Sequence, residues 1–183
     1  GSIGYGINPA AQGIAFLKGP KLDDDGQDNP IGIGANESIN GIGFGDGVLD
    51  NEYWGLKSFI SHNWGSGNLG SASTEADHYN YLSGNMLNGN SLTYASTGVD
   101  CKFMYPGNSD PLNYGSAGSP QSPWSENTVG NPPGDRAGIG SSGPFTLPSG
   151  GVIEIDLAFV FGRNTSVPGP QSGVTAMQQN IDV

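Results

Sequence analysis

Between residues 152 and 161 the chain alternates strictly. Ile153, Ile155, Leu157, Phe159 and Phe161 share one face, while Val152, Glu154, Asp156, Ala158 and Val160 share the other. A period of two over ten residues predicts a β-strand, with the large apolar face turned inward. Residues 143–147 alternate as well, and Pro148-Ser149-Gly150-Gly151 supplies turn residues. The span 143–161 is therefore expected to form a β-hairpin at the heart of the fold. Shorter strands are expected at 13–17, 53–61, 91–94 and 101–105. Gly or Pro interrupts nearly every window of a dozen residues, which argues against long helices. Only at the C-terminus does the period change, where Val174, Met177 and Ile181 take helical spacing.

These patterns predict an all-β fold, a β-sandwich of which a jelly-roll is one form, with long ordered loops and little helix. The expected boundaries are a single module at 1–171, then the start of a truncated helix or following segment at 172–183. Composition bears on whether such a module orders. Gly (32) and Pro (13) make up about a quarter of the 183 residues, a fraction that borders on low-complexity chains. Seven Phe, seven Tyr and three Trp spread along the chain argue against disorder. The stretch 106–143 is rich in Gly, Pro, Ser and Asn but carries Trp124. It reads as an ordered excursion, because flexible linkers rarely contain Trp.

Charge narrows the partners. Seventeen acidic and six basic residues give a formal net charge of −11. Nucleic acid and anionic membrane surfaces both require clustered Lys and Arg, so neither is an expected partner. No apolar run approaches membrane-spanning length. Divalent cations do fit. In Asp23-Asp24-Asp25-Gly26-Gln27-Asp28-Asn29, carboxylates alternate around a glycine-permitted turn, the kind of oxygen-rich loop calcium requires. A second cluster, Asp46-Gly47-Val48-Leu49-Asp50-Asn51-Glu52, echoes the first. It fits equally a helix start capped by Asp50 or a further oxygen source for the same ion. The expected metal ligands are Asp23, Asp25 and Asp28, with Asp46 and Asp50 contributing. The alternative is an ordinary solvated acidic turn.

Other chemistry is sparse. His62 and His78 lack metal-ligand spacing, and no Gly-x-Ser-x-Gly elbow presents a serine. Nothing selects a catalytic pair among Glu52, Glu75, Glu126 and Glu154. Cys101 flanks a strand-like run and reads as a buried apolar thiol. Arg136, in Pro132-Pro133-Gly134-Asp135-Arg136, reads as a loop tie. The aromatics at Tyr53, Trp54, Phe59, Trp64, Tyr79, Tyr81 and Tyr94 read as core, with sugar or peptide recognition the alternative.

Five strings recur in a familiar order. They are Phe44-Gly45-Asp46-Gly47-Val48-Leu49-Asp50-Asn51-Glu52, Tyr79-Asn80-Tyr81-Leu82-Ser83-Gly84, Lys102-Phe103-Met104-Tyr105-Pro106-Gly107, Gly134-Asp135-Arg136 and Ser141-Ser142-Gly143-Pro144-Phe145-Thr146-Leu147. From about Pro9 to Arg163 the chain resembles an uncharacterised region of large secreted proteins of Bacteroidetes, many of which end in a type IX secretion sorting domain. A second basic residue often follows the Arg136 position in that family, whereas here it is Ala137. The resemblance implies export, display on the cell surface or release, and neighbouring domains of the same secreted protein as partners.

The expected function is a non-catalytic, calcium-stabilised structural or adhesive module, with a glycan or a surface protein as an outside partner. The alternatives are a carbohydrate-binding module of a secreted enzyme and an unrecognised hydrolase. Exposure of Trp54, Trp64 and Trp124 separates the first two readings.

Overall fold

Among the described residues, six strands and three α-helices follow one another in the order β1 (Ala11–Lys18), β2 (Ser58–His62), α1 (Glu75–Leu82), β3 (Leu92–Thr93), β4 (Asp100–Cys101), α2 (Glu126–Val129), β5 (Ala137–Ser141), β6 (Asp156–Gly162) and α3 (Pro170–Ile181). They come from a computed structural model that describes residues 6–31, 38–132 and 134–181. Helix is scarce, and the described strands pair as three two-stranded sheets: β1 with β6, β2 with β5, and β3 with β4. The chain is thus mostly β, joined by long loops. Its contacts divide it into two compact units, one of Gly1–Leu17 with Ile155–Val183 and one of Lys18–Glu154. This division differs from the expected module at 1–171 followed by 172–183.

In the larger unit β2 and β5 run antiparallel, with Ser58 opposite Ser141, Ile60 opposite Ile139 and His62 opposite Ala137. The second edge of β2 is also occupied. The Phe59 amide donates to the Lys102 carbonyl (2.9 Å) and the Met104 amide to the Phe59 carbonyl (2.8 Å). The alternation of β2 buries Ser58, Ile60 and His62. On β5, a Cβ at Gly138 would come within 2.7 Å of the Phe59 ring, so only glycine lets that ring lie across the strand.

Helix α1 starts where Thr74 and Asp77 form a capping box. Its Tyr81 is wholly buried and donates its hydroxyl to the Gly70 carbonyl (2.7 Å). A second core gathers Leu92, Tyr94, Cys101, Met104 and Trp124. There Trp124 packs against Tyr94 and Tyr105, with ring centroids 4.9 Å away in both cases. The excursion 106–143 is therefore anchored by its one Trp.

In the smaller unit, α3 lies on the β1–β6 ribbon through small residues. A Cβ at Gly162 would sit 2.1 Å from the Met177 amide nitrogen, and one at Gly13 would sit 2.5 Å from the Met177 sulfur. Side chains alternate along strands, so this face also carries Ala15, Ala158 and Val160, which are buried or half-buried. The opposite face shows Ile14, Leu157, Phe159 and Phe161 to solvent, with Phe159 68% exposed.

Two expectations are corrected here. First, the hairpin at 143–161 does not form; β6 pairs with β1 instead. The Thr146 amide is taken by the Asp23 carboxylate (2.7 Å) and Pro144 has no amide, so 143–147 has few donors for a ladder. Second, the face of Ile155, Leu157, Phe159 and Phe161 is the open one. Period two reveals two faces but does not say which is covered, and a helix that needs close backbone approach selects the face with Ala and Gly.

Candidate functional site

The two acidic clusters, separated in sequence, are laced into one double loop. Asp50 has a left-handed backbone (φ 53°), a conformation that Asp tolerates better than most residues. Its carboxylate Oδ1 accepts from the amides of Asp25 (2.7 Å) and Gly26 (2.8 Å). In the other direction, Asp28 accepts from the amides of Gly45 (2.8 Å) and Gly47 (2.7 Å), one at each oxygen. Gly26 (φ 75°) and Gly47 (φ 89°) supply the positive φ angles that bring these amides round. Asp25 closes its own turn through the Gln27 amide (3.0 Å), and Asp46 closes its own through the Val48 amide (2.9 Å). Beneath them Glu52 is 1% exposed and accepts from the Asn29 amide (2.6 Å). The structure thus joins the two clusters, as one reading of the sequence required. No helix begins at Asp50.

The carboxylates meet main-chain amides. Among the described residues, no group of three or more His, Cys, Asp or Glu is placed to hold a metal ion. Asp23 stands apart from the other four, because Thr146 binds it through amide (2.7 Å) and hydroxyl (2.6 Å). Those two bonds, the hydroxyl first, hold the Asp23 carboxyl below its ordinary value. Glu52, which sequence reasoning assigned no role here, is the buried anchor of the loop pair. Its signal was present in an acidic residue at the rim of a strand-like aromatic run.

Elsewhere in the larger unit, a cleft of about 630 Å³ opens beside β2 and β5. Lys57, Lys102 and several serines line it, together with Tyr79 and Phe145. Ser58 and Ser141, cross-strand partners, share a short hydroxyl–hydroxyl hydrogen bond in its wall. Sequence reading missed this place, because its residues come from five separate segments. The scarcity of Lys was the one available hint.

The remaining candidates have structural partners. The His62 ring stacks on Tyr81 (5.2 Å) and meets Trp64 edge-on (5.9 Å). Cys101 is buried, and loss of hydration pushes its thiol up to about 12. Arg136 ties its loop by donating to the carbonyls of Pro132 (3.0 Å) and Asp135 (3.1 Å) and to Glu126 (3.3 Å). Trp54 and Trp124 are buried whereas Trp64 is 67% exposed, so most of the Trp surface is core.

Neither a family model, nor a curated protein, nor a solved structure matches the chain. No helix among the described residues is long and apolar enough to cross a membrane.

Proposed function

We propose that this chain is a non-catalytic structural or adhesive module of an exported protein, whose acidic double loop acts as a staple. The observation that carries the reading is the reciprocal capping. Asp50 holds the amides of the first loop, and Asp28 holds those of the second. A catalytic carboxylate needs oxygens turned toward a substrate; these are turned toward their own backbone. Charge-assisted bonds of this kind are about twice as strong as neutral ones. They order a segment that has few apolar anchors.

Calcium belongs to the proposal as reinforcement. An ionised carboxylate offers about four lone-pair sites, so Asp25, Asp28, Asp46 and Asp50 each keep acceptor sites beyond those their amides take, and binding an ion would require the loops to draw these carboxylates closer together. In that arrangement the ion adds to a loop that its own hydrogen bonds already shape. At millimolar calcium and a Kd of about 10 μM, it would contribute about 2.7 kcal/mol. The finer architecture, a β-sandwich, is proposed on the same footing, supported by the alternating faces of β1 and β6. Export rests on the motif resemblance from Pro9 to Arg163.

The test is a broad hydrolase screen on the purified chain beside thermal unfolding in calcium and in chelator. The reading expects no turnover and a melting temperature that falls on chelation. Turnover abolished by a single Asp, Glu, His or Ser substitution would replace it with an enzyme.

A further inference from the structure

We propose that two copies of this chain pack the open faces of their β1–β6 ribbons together, forming a symmetric dimer through an intermolecular β-sandwich. The inference goes beyond the stapled double loop and does not depend on it. The first observation is the face itself. Ile14 on β1 and Ile155, Leu157, Phe159 and Phe161 along β6 are each 45–68% exposed. They share one side of the ribbon, because side chains alternate along a strand. Helix α3 packs on the other side, against Gly13 and Gly162. Apolar residues scattered singly over a surface are ordinary, whereas a contiguous patch of several hundred Å² marks an interaction surface.

The second observation is charge. Gly1–Leu17 and Ile155–Val183 together hold two acidic residues and one basic, a net −1. Lys18–Glu154 holds the other fifteen acidic and five basic residues, a net −10, and the two make up the chain's −11. The ribbon thus belongs to the near-neutral part of a strongly acidic chain. On its open face positions 14, 155, 157, 159 and 161 are apolar and position 12 is an uncharged Gln. Lys18, at the far end of β1, is held over the Tyr53 ring at 4.2 Å. A charged partner finds no complementary group on this face. A second identical face meets it with no like charges opposed.

The third observation is area. A large aromatic side chain covers about 150–250 Å², so five large side chains about half exposed offer on the order of 500 Å² per copy, or roughly 1,000 Å² in a dimer. That stands at the low end of specific interfaces and fits a weak dimer, with a Kd of about 10–100 μM. Two sheets stack about 10 Å apart with their strands within about 30°. A two-fold axis brings the same patch of both copies together, so one apolar face is enough to complete the contact.

The experiment is sedimentation velocity of the full chain from about 1 μM to 1 mM, in about 0.15 M salt to screen the larger unit's charge. A monomer–dimer equilibrium is expected, with a Kd of about 10–100 μM that does not weaken in about 0.5 M salt, because the contact is apolar. Phe159→Lys should raise the Kd by about tenfold or more, since the core of an interface excludes charge. Ile14→Gln, on the neighbouring strand, should raise it several-fold. Both variants should keep the parent's helical circular dichroism and melting temperature at about 1 μM, where the chain is monomeric, which separates lost association from lost folding. Trp64→Ser removes the exposed Trp of the larger unit and should leave the dimer unchanged. A chain that stays monomeric at 1 mM, assembly beyond a dimer, a dimer that survives both Phe159→Lys and Ile14→Gln, or one lost with Trp64 would overturn the proposal. Unfolding of both face variants at 1 μM would overturn it as well, by showing that the face is covered within one copy.

Discussion

The Asp50 carboxylate reaches across 25 residues to accept the amide of Asp25 at 2.7 Å, and the adjoining Gly26 amide meets the same oxygen at 2.8 Å. Asp28 returns the arrangement, but with one amide on each of its two oxygens. This difference in geometry separates two otherwise similar substitutions.

Asp28→Asn should destabilise more than Asp50→Asn. An amide at position 28 must aim its NH2 at a main-chain N–H, whereas one at position 50 can still offer its single oxygen to both donors. The expected loss for Asp28→Asn is about 1–3 kcal/mol, the range for a hydrogen bond to a charged group. Urea unfolding of both variants measures the order. Equal losses would show that the capping is incidental.

Phe159→Ala should cost less than about 1 kcal/mol, because the ring is 68% exposed on the open face of β6. Ile60→Ala, at a wholly buried position on β2, should cost about 2–5 kcal/mol. The same unfolding assay compares them. A large loss at Phe159 would mean that this face is covered in solution.

Gly162→Ala should undo the packing of α3 on its ribbon, since the added methyl would lie 2.1 Å from the Met177 nitrogen, a main-chain atom that cannot step aside. Overpacking of this kind costs about 1–3 kcal/mol. Helical circular dichroism should weaken, while the fluorescence of buried Trp54 and Trp124 in the larger unit stays native. An unchanged helical signal would contradict the close contact.

These positions show how much was legible in advance. Strand β1, the buried thiol, the loop tie at Arg136 and the C-terminal helical spacing all follow local patterns, and local patterns survive folding, whereas of the strand expected at 101–105 only Asp100–Cys101 pairs as β4 and Phe103 makes a single bridge. The hairpin did not form because the fate of Thr146 depends on Asp23, 123 residues away. The inward face of β6 was misassigned because burial is decided by the helix that packs there. Helix α1 was missed because Tyr79 and Tyr81 read as recognition or core aromatics, and its capping box lies in a Ser-rich stretch. The two acidic loops could be named from sequence, but their interlocking could not, since spacing carries no information about which amide a carboxylate will meet.

Acid should weaken the Asp23–Thr146 contact. The Asp23 carboxyl is held below its ordinary 3.8 by the Thr146 hydroxyl and amide. A folded value below the unfolded one gives stability that is fully present above 3.8 and is lost as pH falls through the lower folded value. Asp77 behaves in the same way, held down by the Ser73 and Thr74 amides. Melting temperature should therefore decline as pH drops below about 4, the ordinary carboxylate range. Asp23→Asn should flatten that decline. A variant with the same acid profile as the parent would remove Asp23 from the account.

The most direct test of the staple is thermal unfolding of the parent and of Asp50→Ala, each in excess calcium and in chelator. Calcium should raise the parent melting temperature by about 5–10 °C, given some 2.7 kcal/mol and the usual 2–4 °C per kcal/mol at this chain length. Asp50→Ala should melt below the parent even in chelator, because the amides of Asp25 and Gly26 lose their acceptor whether or not an ion is present. An Asp50→Ala variant that melts with the parent in chelator would contradict the central claim that these carboxylates hold the two loops together.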